Sequence, residues 1–198
     1  MRVSKKLSKQ ELRRRERNQG QVALRLFWSA AIVVGLIAIG YSVLQLSKPQ
    51  LGISIPVMSS ARHIQIGEQH EVYNSDPPTS GPHYAEPAQA GFYNEALPDE
   101  QLVHNLEHGY VIIWYNCTSL GGTACQNFKT QIQAVMDQAG PVSVSGSNKL
   151  IAVPRPSLVG SLAASSWGRL YQPDAFNADE LLLFIKDFRN KAPEPGAP

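Results

Sequence analysis

The pattern of apolar and polar positions divides the chain sharply near residue 47. Leu26 to Leu46 (LFWSAAIVVGLIAIGYSVLQL) is an apolar run without a formal charge. Its 21 residues would rise roughly 31 Å as a helix, about the thickness of a bilayer's hydrocarbon core. Ile32–Ile39 is apolar on every face, unlike the one-sided stripe of an ordinary amphipathic helix. Downstream the periods are those of a folded domain. Tyr110–Tyr115 (YVIIWY) predicts a central strand, and Phe128, Ile132, Val135, Met136 and Ala139 predict a helix over Cys125–Gln138 that Gly140-Pro141 ends. Lys149–Val153 predicts a second strand, and Leu162–Leu170 a third. Ala178–Phe188 predicts an amphipathic helix with Asn177 as its N-cap.

Residues 63–101 show neither period. They are rich in Pro, Gly, Asn, Asp and Tyr and predict an ordered loop, which at such length inside a compact domain is usually functional. The expected fold class is α+β: one N-terminal transmembrane helix, then a small mixed-sheet domain made of the long loop followed by β-α-β-β-α. The boundaries that follow are a basic arm at 1–25, the apolar helix at 26–46, a linker at 47–62 that becomes structured near its end, the domain at 63–192 and an exposed, extended tail at 193–198.

Charge sharpens this division. Residues 1–25 hold nine of the 18 Lys and Arg against Glu11 and Glu16, a net of +7, whereas the rest of the chain is −5. A basic block before an apolar helix stays cytoplasmic, which places the domain outside the membrane. Trp28 and Tyr41 stand near the ends of the run, where amphipathic rings favour the headgroup level. A cleaved signal peptide is the competing reading, but the run is too long and no A-x-A-like site follows Leu46. The lipid bilayer is therefore the expected partner. Nucleic acid is not, because no aromatic residue is interleaved with the basic ones before Phe27.

The cysteines Cys117 and Cys125 flank the TSLGGTA loop after the central strand. A structural disulfide is the first reading in an extracytoplasmic setting, free thiols the second, and a metal or redox pair the last. Neither C-x-x-C nor C-x-x-x-C occurs, so thiol-oxidoreductase chemistry has no support.

All five histidines (His63, His70, His83, His104 and His108) fall in the first half of the domain. Neutral imidazole is the commonest transition-metal ligand, so this clustering points to metal. In Asp76-Pro77-Pro78-Thr79-Ser80-Gly81-Pro82-His83, three prolines and a glycine predict a rigid turn that presents His83 in one direction. A plain Pro-rich turn with a surface histidine is the alternative. Ser80 lacks the G-x-S-x-G context of a hydrolase nucleophile.

His104-x-x-Glu107-His108 reads as H-x-x-E-H, the inverted zinc-protease pattern, with Glu107 placed to activate a metal-bound water. Gly109 and the strand at Tyr110 leave room for only about one helical turn there, which argues against a peptidase. The expected ligands are His83, His104, His108 and Glu107, with His63 and His70 in reserve, and the expected metal is Zn²⁺ or Cu²⁺. Two alternatives stay open: a metal-dependent hydrolase with Glu107 as catalytic base, and a non-catalytic interaction or assembly module whose histidines brace loops. The tyrosines and Trp114 read mainly as packing.

One further observation joins these blocks. His63-Ile64, Tyr73-Asn74, Pro77-Pro78-Thr79-Ser80-Gly81-Pro82-His83-Tyr84, Gly91-Phe92-Tyr93, Val103-His104-Asn105-Leu106-Glu107-His108-Gly109-Tyr110-Val111, Trp167-Gly168 and Pro193-Glu194-Pro195-Gly196-Ala197 occur in this order. Together they resemble a bacterial family known only as a domain of unknown function. Its members are typically anchored by one N-terminal helix and carry PP-x-x-G-x-H and H-x-LEHG blocks. The resemblance covers about residues 60–197 and matches the family pattern at His63, His83, His104, Glu107 and His108, while His70 has no clear counterpart. Many members have Ala-Trp-Gly where this chain has Ser166-Trp167-Gly168. Some have a cysteine where Gly91 stands, which implies that a Cys117–Cys125 bond would belong to a subgroup. The resemblance implies boundaries and a site, and no activity.

Overall fold

The structure is a computed structural model that describes residues 26–42, 50–142 and 146–197. The basic arm at 1–25, the end of the apolar run and the start of the linker lie outside the described residues. Residues 26–42 form helix α1, in a unit separate from the one that begins at Gln50. Its large apolar side chains, including Leu26, Trp28, Ile32, Leu36 and Ile39, are all exposed. Among the described residues no helix is long and apolar enough to cross a membrane.

The second unit is an α+β domain built on a six-stranded mixed sheet in the order β1-β8-β7-β5-β6-β4. Its strands are β1 (Ile53–Ser54), β4 (Gly91–Phe92), β5 (Val111–Tyr115), β6 (Leu150–Pro154), β7 (Leu162–Ser166) and β8 (Arg169–Tyr171). Strands β4, β6 and β5 run parallel, while β7, β8 and β1 add antiparallel pairs. A separate parallel pair, β2 (His63–Ile64) and β3 (His83–Tyr84), lies off this sheet.

Strand β5 shows why the sheet has two covered faces. Successive strand residues point to opposite sides. Val111, Ile113 and Tyr115 join a core with helices α3 (Gly122–Ala139) and α4 (Ala178–Phe188), whereas Ile112 and Trp114 join a core with helix α2 (Asp99–Glu107). All five are buried, so the strand reads as one continuous apolar run, as buried parallel strands do. The Trp114 indole N–H keeps a partner in that core, donating to Ser165 Oγ at 2.9 Å. Asn177 caps α4 as its sequence predicts, accepting from the Asp179 and Glu180 N–H groups at 3.0 and 3.2 Å.

Several expectations are revised. The single strand over Leu162–Leu170 is two, β7 and β8, because Gly168 (φ +67°) turns the chain at Trp167-Gly168 and the arms pair as a hairpin. Helix α3 starts at Gly122, ahead of Cys125. The segment 63–101 is not all loop: it supplies β2, β3 and β4 and the start of α2. The linker stretch 47–62 contributes β1, an edge strand too short to show a period. The tail is exposed, yet the Lys149 ammonium group donates to Pro195 O and Ala197 O at 2.8 Å each. Cys117 and Cys125 form a disulfide with Cα atoms 5.5 Å apart, which suggests an extracytoplasmic domain.

Candidate metal centre

Three chain segments build the site. The turn before His83 is buried rather than superficial: Thr79, Ser80 and His83 are fully inaccessible. Ser80 Oγ accepts the Met58 N–H at 3.0 Å, Thr79 O accepts the Gly168 N–H at 3.0 Å, and Tyr73 donates its hydroxyl to Pro82 O at 2.7 Å. Gly81 is obligatory here. Its φ is +131°, and a Cβ would lie 2.8 Å from Met58 Sδ and 2.9 Å from Tyr73 Cε1. The Ser80 hydroxyl is thus engaged in holding the turn.

The second segment is β2, whose His63 lies directly opposite His83 in parallel register, so both side chains leave the same side of the ladder. Ile64, the alternate residue, is buried. The third is α2, which carries His104 and, one turn later, Glu107. The helix stops where a Schellman motif closes it. The Tyr110 N–H bonds Asn105 O and the Gly109 N–H bonds Leu106 O, both at 3.0 Å, with Gly109 at φ +85°. This geometry corrects the expectation of only about one helical turn before the strand. Gly109 does end the helix, but nine residues of it precede that end.

The imidazoles of His63, His83 and His104 form a nearly equilateral triangle, with ring centroids 4.9, 5.0 and 5.0 Å apart. Glu107 brings a carboxylate oxygen to the same point. One donor atom from each of the four lies within 4.8 Å of all the others. A tetrahedral centre with ligands about 2.1 Å away has donors roughly 3.4 Å apart, so small side-chain adjustments suffice. This His/His/His/Glu group, in which His83 and His104 are buried, Glu107 is partly buried and His63 is exposed, could hold a metal ion.

Hydrogen bonds fix which nitrogens face inward. His83 Nδ1 lies 2.8 Å from Gly81 O and His104 Nδ1 lies 2.6 Å from Tyr84 O. A carbonyl can only accept, so both Nδ1 atoms carry hydrogen and both rings turn Nε2 to the cluster. His83 Nε2 is buried and 3.0 Å from Glu107 Oε2, but the approach is not aligned as a hydrogen bond, and the atom has no other hydrogen-bonding partner. Two lone-pair atoms at that separation repel unless a proton or a metal ion lies by both. Burial is the main cause of a His104 pKa lowered to about 4; the neighbouring His108, His83 and His63 lower it further, against the opposing bond to Tyr84 O. His104 is therefore neutral at pH 7, as a ligand must be.

Of the residues singled out from sequence, the structure gathers His83, His104 and Glu107 with the reserve His63. His108 stands beside this group, its Nε2 3.0 Å from His104 Nε2 and 3.7 Å from Glu194 Oε2. His70 lies elsewhere. Its Nδ1 donates to Glu71 O at 2.7 Å and its Nε2 meets Glu100 Oε1 at 3.2 Å, tying the loop to the first turn of α2.

Three supporting residues escaped the sequence argument. Asn105, fully buried between the two key positions of α2, exchanges a pair of 2.8 Å bonds with the Ala88 backbone. Lys149 and Glu194 hold the tail against the end of α2. Asn105 lies inside the HNLEH block and Glu194 inside the PEPGA block, but neither spacing shows what an amide or a tail carboxylate would touch.

No curated protein and no solved structure matches this chain. Residues 63–198, which include every member of the cluster, match a family model described as "Protein of unknown function (DUF3105)", and the chain belongs to that family.

Proposed function

We propose that this protein is a membrane-tethered, extracytoplasmic metal-binding domain that holds one divalent transition metal through His63, His83, His104 and Glu107. One observation carries the reading: the buried, unbonded His83 Nε2 faces a carboxylate oxygen at 3.0 Å inside a triangle of imidazoles. Three nitrogen donors and one oxygen favour Zn²⁺ or Cu²⁺ over the hard cations. Four protein donors are the composition of a closed centre, whereas a catalytic zinc keeps an open position. Glu107 within the donor set is not free to act as a base, so binding is favoured over hydrolysis. Convergence of the rings favours metal binding over an interaction module with separately braced histidines.

The tether rests on the uncharged run 26–46, the basic residues before it and the exposed apolar side chains of α1. The disulfide supports the extracytoplasmic side.

The test is metal analysis of the purified chain after reconstitution with Zn²⁺ or Cu²⁺, with thermal unfolding beside it. The expected result is one metal per chain and a raised Tm, both lost in His83→Ala. At a free metal concentration 100 times Kd, the stabilisation is about 2.7 kcal/mol. No stoichiometric metal and an unchanged Tm would sink the reading.

A further inference from the structure

The four donors of the cluster are held unequally. His83 and His104 are buried, and each commits its Nδ1–H to a backbone carbonyl, so neither ring can turn without breaking a bond inside the protein. The Glu107 side chain is 12% exposed and faces His83 Nε2 from α2. His63 differs on every count. It is exposed, and among the described residues its ring makes no hydrogen bond, standing instead against the rings of His83 and His104.

The backbone around His63 fixes the position of this residue while leaving its ring able to move. Within residues 61–69 only Ile64 is buried. Its burial and the bond from the His83 N–H to Arg62 O at 3.1 Å pin β2 on both sides of His63. Beyond β2 the chain passes Gly67 (φ +82°) in an exposed turn. That turn is closed on itself by the bond from the Gln65 N–H to Glu68 Oε2 at 3.0 Å and by the Arg62–Glu68 ion pair at 2.7 Å. The strand therefore stays in place while the side chain rotates, and rotamer changes of an exposed side chain take ps to ns. A swing of His63 toward solvent opens one coordination position on that side and leaves His83, His104 and Glu107 as they were.

We propose that the metal is an exchangeable cargo that enters and leaves past His63, and that a polydentate acceptor takes it by displacing this ligand first. This rests on the metal-binding reading above. A lone pair of the acceptor forms its bond to the ion as the bond from His63 breaks. The ion keeps its charge, and no electron is transferred. The acceptor's remaining donors then replace the inner three in turn. Because the acceptor engages before the ion has left, capture is bimolecular. A centre whose ligands are all sealed from solvent must instead release its ion first, at a rate independent of acceptor concentration.

The experiment uses the full chain in detergent micelles, loaded with Zn²⁺ and mixed with pyridylazoresorcinol, whose absorbance reports captured zinc. In wild type the capture rate should rise in proportion to chelator concentration. His63→Ala should still bind zinc, but more weakly by about tenfold or more, since losing a ligand costs at least as much as losing its outer partner. Its metal-free Tm should stay at the wild-type value, because Ile64 rather than His63 anchors the strand. Free imidazole should enter the exposed position and bring the zinc affinity of His63→Ala back toward wild type. His83→Ala, whose position is closed to solvent, should show no such recovery. A wild-type capture rate indifferent to chelator concentration would overturn the exchange route, as would a His63→Ala protein that imidazole does not rescue. Either result leaves the metal centre standing, whereas failure of the wild type to bind zinc would overturn both.

Discussion

Asn105→Ala tests whether the segment between β3 and β4 is stitched to α2 as the geometry requires. Asn105 is fully buried, and its side chain makes both bonds of a strand-like pair with Ala88: Oδ1 accepts the Ala88 N–H and Nδ2 donates to Ala88 O, each at 2.8 Å. Ala88 is itself buried, so water cannot replace the amide without the segment lifting off. Truncation therefore strands one buried donor and one buried acceptor. Each unsatisfied group costs about 1–3 kcal/mol, so about 4 kcal/mol is expected in all. The exposed Gln133 is the control. Its Nε2 also donates a 2.7 Å bond, to Asp137, one turn along α3, but Gln133→Ala should cost less than about 0.5 kcal/mol. Urea unfolding in the presence of a chelator gives both numbers, with a lowered midpoint and an unchanged m value expected. A loss below about 1 kcal/mol for Asn105→Ala would refute the claim that this amide joins the loop to the helix of the site.

Acid should destabilise the metal-free protein through His104. Its folded pKa of about 4 lies below the ordinary imidazole value near 6.5, so its contribution is fully present above 6.5 and is lost as pH falls from there toward 4. The loss is on the order of 2 kcal/mol by pH 5. Urea midpoints of wild type and His104→Gln at pH 7.5 and pH 5 isolate it, and parallel pH dependences would contradict it. Gly109→Ala should cost at least about 2 kcal/mol, because φ is +85° and the new Cβ would stand 2.8 Å from Asn190 Cα. The same urea assay measures this, and a near-neutral effect would disprove it. Replacing Cys117 and Cys125 with serine should lower stability by about 2.5 kcal/mol from the eight-residue separation, seen as a fall in Tm that reductant produces in wild type but not in the variant.

The periodic elements were legible in the chain because local geometry repeats there. The continuous apolar run of β5, the stripes of α3 and α4 and the Asn177 cap all depend on residues a few positions apart, and so does the stop at Gly109. The histidine clustering, which residue type alone carries, marked the part of the domain where His63, His83 and His104 converge. The strands of two residues were not legible, since a period of two needs more positions to show itself. The two arms of β7 and β8 read as one strand because a lone glycine, Gly168, turns the backbone there, and one glycine inside a strand pattern need not end it.

Membership of the cluster was decided only by tertiary structure. The i,i+4 spacing of His104 and His108 in H-x-x-E-H favoured His108, but the parallel register of β2 and β3 puts His63 across from His83, and the Gly81 and Tyr84 carbonyls select which nitrogens face inward. His108, at the end of α2, is left beside the cluster facing the tail. A donor set assembled from positions 63, 83, 104 and 107 depends on where three segments meet. Sequence determines which side chains have the chemistry to bind a metal; the meeting of those segments determines which of them could do so together.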